Sequence, residues 1–405
     1  MCAGRVMKRL NRWLALVFVL LLSSGGRLAV AESFAEWKAD FIQRAKSQGV
    51  SPDLLSRFQA IAPYPKAVSS DKNQAEFKKF LWDYLKSALS ASRIATGQRK
   101  FKNNQALFQR IGLSSGVSPQ IIAAIWGMET SYGYSTGSVP VMRSMATLAH
   151  EGRRRAFFEN ELLTALQLIE QGDLPDLQIL GSWAGGLGMT QFIPSSYQKY
   201  AVDYNGDGVR NLWQTADALA STANYLVKMG WQAGYRWGRE VAVINDFDYS
   251  LANQRKDWKP LSTWKALGVT GTDGTPLPDD AVVARLLVPA GQFGPKFLLY
   301  KNFDIIKRYN NSDAYALGVA LLSERIAGHP GLQTSWPTNA KKMTANDVKI
   351  VQTALNAYGY NAGRVDGVFG NATRNALQAY QAANGLVADG FLTVDLYRRL
   401  ITERP

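Results

Sequence analysis

Cysteine is nearly absent from this chain of 405 residues, and histidine occurs twice, at His150 and His329. The one cysteine, Cys2, precedes an apolar run, so no disulfide can staple the body, and no lipid-attachment cysteine follows that run. Neither histidine has the spacing of an H-E-x-x-H or C-x-x-C site, which argues against structural or catalytic zinc. A Ser-His-Asp arrangement would have to use one of the two, and no G-x-S-x-G elbow offers the serine. No Walker loop or G-x-G-x-x-G follows a strand-like segment either. The apolar run at Leu14 to Leu22 has nine residues, and as a helix would span only about 14 Å against a hydrocarbon core of roughly 30 Å. Basic residues before it and Ala29-x-Ala31 behind it predict a secretory signal at 1–31, cleaved after Ala31, with an uncleaved anchor as the alternative. Export without disulfides is compatible with a bacterial periplasm, and no stable membrane anchor is expected.

Apolar residues make up 46% of the chain and aromatics 11%, enough for a sizeable core in two or three domains. Formal net charge is +14, and removing the five basic residues of the leader (Arg5, Lys8, Arg9, Arg12, Arg27) leaves +9. The basic residues are scattered, so nucleic acid is not expected as a partner; an exported protein meets anionic wall polymer and lipid first.

From Ser33 to about Trp231 apolar residues recur at three and four, with helix starts at Ser51-Pro52 and Ser118-Pro119. Between 237 and 303 the texture changes to "REVAVI", "AVVARLLVP" and "KFLLY" separated by turn residues, which predicts a small β-rich insertion. Helical periodicity returns in "SDAYALGVALLSERIAG", stopped by Gly328 and Pro330. An aperiodic linker at 330–342 then leads to a three-helix domain at 343–405. Its predicted caps are Asn371 and Thr393, and its buried faces include Val348, Val351 and Leu355, then Ala376, Leu377 and Tyr380, then Leu396, Tyr397 and Leu400.

Three motifs at 32–329 can carry chemistry. In "AAIWGMETSYGYSTG", Ile122, Ile125 and Glu129 fall on one helix face, so Glu129 points inward or into a cleft. An apolar setting penalises the charged carboxylate and suits a general acid; a salt bridge to Arg153, Arg154 or Arg155 is the structural alternative. "SWAGGLGMTQFIPSSY" sets Gly185, Gly186 and Gly188 before Gln191, either a backbone that approaches a polyhydroxylated ligand or a tightly packed loop. In "DYNGDGVRNLWQTAD", Asp203, Asn205, Asp207, the Val209 carbonyl and Asn211 match positions one, three, five, seven and nine of a calcium loop. Gln214 stands where the bidentate glutamate belongs, and Asp217 follows three residues on; a pair of Asn-Gly and Asp-Gly turns is the alternative.

These motifs in this order resemble the membrane-bound lytic transglycosylase B family of murein-cleaving enzymes, including its soluble members. The resemblance runs from about Phe34 to Ala327 and is strongest in "IWGMETSYG", "SWAGGLGMTQFIPSSYQKYAVDYNGDGVRNLW", "ANYL" and "RYNNSDAYALGVA". It implies a mainly α, lysozyme-like catalytic domain with Glu129 as sole catalytic acid. Ser182, Gln191, Tyr225, Tyr309 and Asn310 would line the cleft, and 203–217 would form an EF-hand-like calcium site through Asp203, Asn205, Asp207, Val209 and Asp217. The implied reaction cuts the β-1,4 bond between N-acetylmuramic acid and N-acetylglucosamine in peptidoglycan and leaves a 1,6-anhydro end, with Glu129 as acid and then base. The arginine cluster "HEGRRRAFFENEL" lacks a preceding Tyr-Pro and is not assigned to substrate.

The tail is similar to the small peptidoglycan-binding domain of many wall enzymes through "VQTALNAYGYNAGRVDGVFGNATRNALQAYQAANGLVADG". Tethering to an insoluble polymer would raise local substrate concentration without new catalytic contacts. Two other readings remain at this point: a hydrolytic muramidase using the same acid, and a non-catalytic wall-binding protein. Other cell-wall enzymes are conceivable partners in every case.

Overall fold

The structure, a computed structural model, describes residues 32–72, 80–279, 281–337, 340 and 343–402. The leader at 1–31, part of the linker and residues 403–405 lie outside the described residues. Among the described residues no single helix is long and apolar enough to cross a membrane.

The body is helical, as its periodicity predicts. The first helix, Phe34–Ser47, starts on a reciprocal cap in which Ser33 Oγ accepts from Glu36 N and Glu36 accepts from Ser33 N. Ser51 and Ser312 cap the Pro52–Gln59 and Asp313–Ile326 helices with a single bond each, their side chains accepting from Leu54 N and Tyr315 N. Two apolar clusters result. One gathers Ile122, Ile125, Leu317 and Ala320 around the Pro119–Thr130 and Asp313–Ile326 helices. The other gathers Trp37, Phe41, Met142, Leu162 and Leu166 from the Phe34–Ser47, Val141–Glu151 and Arg155–Glu170 helices. Tyr225 and Tyr309 pack against both clusters, so they mark the seam between the two halves.

A short ribbon that periodicity did not reveal joins β1 (Val139–Pro140) antiparallel to β2 (Leu180–Gly181). The expected insertion is a five-stranded antiparallel sheet of β3 (Gly238–Val243), β4 (Lys259–Pro260), β5 (Val269–Thr270), β6 (Val283–Leu287) and β7 (Lys296–Leu299), ordered β4-β6-β7-β3-β5. One face packs Val241, Trp264, Leu286 and Leu298 into a core of its own.

The C-terminal helices, Ala345–Ala357, Asn371–Ala383 and Val394–Thr402, enclose Val351, Leu355, Leu377 and Leu400. Thr393 caps the last one, its Oγ1 accepting from Leu396 N at 3.1 Å. Asn371 is not a cap: extended Gly370 holds that position without a side-chain bond, and Asn371 is the first helical residue. This domain docks on the insertion. Asp389 accepts from Gln292 N at 2.9 Å and Gln378 Nε2 donates to the Tyr249 carbonyl at 3.0 Å. The segment before it has no helix among its described residues yet is pinned, with Gln333 N and Thr334 N donating to Glu240 at 2.9 Å each and Trp336 stacked 5.6 Å from Trp82.

Candidate active site

The Pro119–Thr130 helix begins as its Ser-Pro pair predicts, with Ser118 at the cap and Ile122 and Ile125 fully buried. It ends abruptly one residue after Glu129. Ser131, Tyr132 and Gly133 have φ of 51°, 63° and 83°. For the two non-glycine residues that left-handed backbone costs on the order of 1–3 kcal/mol each and needs external support. Thr130 supplies part of it: its Oγ1 donates to the Met189 carbonyl at 2.6 Å and accepts from Gly133 N at 2.9 Å. Tyr132 supplies the rest, its ring lying where glycines leave room. A Cβ on Gly127 would meet its Cζ at 2.5 Å, one on Gly97 its hydroxyl at 2.2 Å. The hydroxyl donates to the Arg93 carbonyl at 3.1 Å.

Glu129 is half-buried, and Oε1 accepts a hydrogen bond from the Tyr315 hydroxyl at 2.6 Å. Tyr315 is held by the start of its own helix, where its N–H donates to Ser312 Oγ. Burial and the nearby Glu129 push the Tyr315 and Tyr309 hydroxyls well above the ordinary tyrosine value, so both remain protonated donors. The salt-bridge alternative for Glu129 does not hold. Arg153 pairs with Asp71, Arg154 lies over the rings of Phe157 and Phe158, and Arg155 bonds Glu32 and Glu159. Tyr315 lay unassigned within a motif carrying the family resemblance; its signal was a single hydroxyl in an otherwise small and apolar helix face.

The glycine-rich loop is tight and also presents polar groups. Ser182 and Gly186 exchange bonds, Ser182 N to the Gly186 carbonyl and Gly186 N to Ser182 Oγ, both at 2.8 Å. Gln191, at φ 56°, donates through Nε2 to the carbonyls of Thr136 at 3.0 Å and Gly188 at 2.9 Å, which reserves Oε1 as an acceptor. A Cβ on Gly186 would lie 2.7 Å from Ser182 Oγ and 2.8 Å from Gln191 Oε1, so this glycine lets the two side chains converge. The neighbouring Thr190 carbonyl accepts from the Tyr309 hydroxyl at 2.6 Å. Tyr225 stands edge-on to Tyr309 at 5.1 Å, and its hydroxyl, pushed up to about 12 by burial, donates to the Arg308 carbonyl. Asn310 ends the Lys301–Tyr309 helix with extended backbone beside Tyr309. Ser182, Gln191, Tyr225 and Tyr309 are thus linked to Glu129 through a run of packed and hydrogen-bonded neighbours, and Asn310 by its place in the chain.

Asp203 to Asp217 close a loop beside this site. Asp203 accepts from Gly206 N, Asp207 N and Gly208 N, and Asp207 from Val209 N, Asn205 Nδ2 and Gln214 Nε2. These bonds hold the Asp207 carboxyl below its usual range. Asp217 is fully buried beneath the loop and accepts from Tyr204, Asn205 and Asn211 N–H groups. None of the three aspartates forms an ion pair with a described residue. Val209 is exposed. No three carboxylate, imidazole or thiolate groups among the described residues gather closely enough to hold a metal by themselves, so Asn205 and the Val209 carbonyl would have to complete a set.

The transglycosylase SLT domain family matches residues 33–324, spanning every element of this site. The chain belongs to the lytic transglycosylase family, enzymes that act on peptidoglycan glycan strands. A peptidoglycan binding domain matches residues 344–400. The crystal structure of SltB3 from Pseudomonas aeruginosa in complex with NAG-anhNAM-pentapeptide is 42% identical, with a TM-score of 0.86, covering 92% of this chain and 100% of that one. Escherichia coli Slt35 in complex with calcium is 30% identical, with a TM-score of 0.62, covering 72% of this chain and 92% of that one. Membrane-bound lytic murein transglycosylase B of E. coli is 34% identical over 246 residues, 60% of this chain and 66% of that protein. The lysozyme-like helical architecture and the wall-binding tail expected for this family member are the ones found.

Proposed function

We propose that this chain cleaves the β-1,4 bond between N-acetylmuramic acid and N-acetylglucosamine in stem-bearing peptidoglycan and leaves 1,6-anhydro-muramyl ends. The observation that carries the reading is Glu129 at a helix end in the seam between the two halves, held by a tyrosine hydroxyl and tied to no arginine of the cluster that follows it. Protonated Glu129 gives its proton to the glycosidic oxygen as the bond to muramyl C1 breaks, and the departing sugar leaves as an alcohol. The Glu129 carboxylate then takes the proton of the muramyl C6 hydroxyl, whose oxygen closes onto C1, with the N-acetyl group assisting. No water is consumed, and one carboxylate serves both steps. Ser182, Gln191 and Asn310 supply polar groups for the sugars, and Tyr225 and Tyr309 a wall against which a ring packs. The ligand of the SltB3 relative carries an anhydro sugar, which fits this product class.

The same reading places the protein outside the cytoplasm, in the periplasm after cleavage at Ala31, where its substrate lies. A calcium ion belongs to it too. Asp203, Asn205, Asp207, the Val209 carbonyl and Asp217 would offer it hard oxygens once the loop draws them together, none of the three carboxylates is ion-paired with a described residue, and the Slt35 relative is in complex with calcium. Asp217 Oδ2 accepts the Asn211 N–H and keeps a second lone pair, so the bonds to Asp217 do not exclude ligation. The ion would brace the loop; Glu129 and its neighbours carry the chemistry.

The test is digestion of purified sacculi by the mature chain beginning at Glu32, with products weighed by mass spectrometry beside Glu129→Gln. Anhydro-muramyl products that vanish in the variant are expected. Products one water heavier would make the chain a muramidase, and sedimentation with sacculi without release would make it a binding protein.

A further inference from the structure

A cavity of 420 Å³ opens on the far side of the turn that follows Glu129, lined by Arg93, Arg99, Lys100, Ser131, Tyr132 and Tyr134 among others. That turn separates it from the glycine-rich loop: Gly133 leaves no more than 3.3 Å between a Cβ and Met189 Sδ, and the Thr136 carbonyl accepts from Gln191. The cavity wall holds three cations and no acid. None of the three forms an ion pair with a described residue. Arg93 spends one N–H on the Ser87 carbonyl, and Lys100 stands 5.5 Å over the Trp126 ring. Several other cations near the cleft are matched by acids. Arg153 and Arg155 have their aspartate and glutamates, and in the cavity beside Arg308, Asp304 and Asp313 answer Arg285, Lys307 and Arg255.

Like charges brought together without a counter-ion repel, and two guanidinium forks beside an ammonium form a strong receptor for carboxylate. The substrate carries that group close by. A peptide attached to muramic acid through its N-terminus ends in a free carboxylate, and five residues reach about 17 Å when extended. Ser131, on the cavity wall, has its Cα within about 8 Å of that of Glu129, because they are two residues apart. Tyr134, 92% exposed, offers a ring on which the peptide can lie.

We propose that the cavity of Arg93, Arg99 and Lys100 binds the terminal carboxylate of the peptide stem on the muramyl residue seated in the cleft. The assignment rests on the proposed function, whose substrate supplies the stem. It makes the enzyme read the peptide as well as the glycan.

Arg99 is exposed, so Arg99→Glu can reverse the charge without touching the core. The variant and the parent chain are compared on stem-bearing strands and on the same strands stripped of peptide by an amidase. About a tenfold loss in kcat/KM on stem-bearing strands alone is expected, the effect of one charged hydrogen bond. An equal loss on both substrates, or none on either, overturns the proposal. If the parent chain cleaves neither, the proposed function fails, and titration of the full chain with the free pentapeptide and its C-terminal amide decides the cavity. Weaker binding of the amide supports it, and equal binding overturns it.

Discussion

Tyr315 Oη donates to Glu129 Oε1 at 2.6 Å from a helix that begins 184 positions along the chain from that acid. The bond fixes the direction in which the carboxyl faces the seam. Removing only the hydroxyl, in Tyr315→Phe, keeps the buried ring and takes away a hydrogen bond to a group that is charged in one half of the proposed cycle. Such bonds are worth about 1.5–3 kcal/mol, so kcat should fall roughly tenfold to a hundredfold while KM changes little. Steady-state rates on a soluble muropeptide strand measure it; an unchanged kcat would mean the bond is incidental.

Chelation should lower the melting temperature by several degrees. Calcium at a hundredfold excess over its Kd stabilises a folded chain by about 2.7 kcal/mol, and Gln214 in place of an acid makes the site weak, so the shift should reverse with added calcium in the millimolar range. Asp203→Ala, which also loses three N–H bonds within the loop, should melt at or below the chelated parent and show no shift with calcium. A parent chain indifferent to chelator and calcium alike would make 203–217 a turn pair.

Alkaline pH should unfold this protein earlier than a chain with exposed tyrosines. Burial raises Tyr225 and Tyr249 to about 12, and it raises Tyr309 and Tyr315 in the same direction. The unfolded chain loses these protons near pH 10, so above that the native state holds more of them and stability falls as pH rises. The contribution is complete below pH 10 and is lost from there upward, through about 12 for Tyr225 and Tyr249. Melting temperature should therefore be flat from neutrality and drop beyond about pH 10, less steeply in Tyr249→Phe, and tyrosinate absorbance should rise together with unfolding.

The motifs that carried the site could be read because they are local. Ser118-Pro119 announces a helix, Ile122 and Ile125 give its inner face, and Glu129 follows from the same phase. The insertion was legible from its alternating, β-branched runs. Tyr315 was not, since nothing at 315 marks a partner at 129; only the packing of two helices brings them together. The same holds for Thr130 and Met189, which meet between a helix end and a distant turn, and for Arg93 and Tyr134, which line one cavity from a helix and a turn. Asn371 misled because an Asx residue before a helical run suits a cap, whereas the helix starts one residue earlier, with extended Gly370 at the cap position and Asn371 already helical. Nothing in the composition of the aperiodic linker announced its contacts, in which the N–H groups of Gln333 and Thr334 donate to Glu240 far back in the chain.

The Tyr132 ring occupies the space vacated by Gly97 and Gly127. Any ordinary side chain at either glycine collides with the ring, and loss of the ring opens a void beside the acid at a cost of about 3–5 kcal/mol. Each position is therefore inherited on terms set by the other two. A side chain at either glycine is accommodated only after the tyrosine ring has gone, so the two changes are tolerated in one order and not the other.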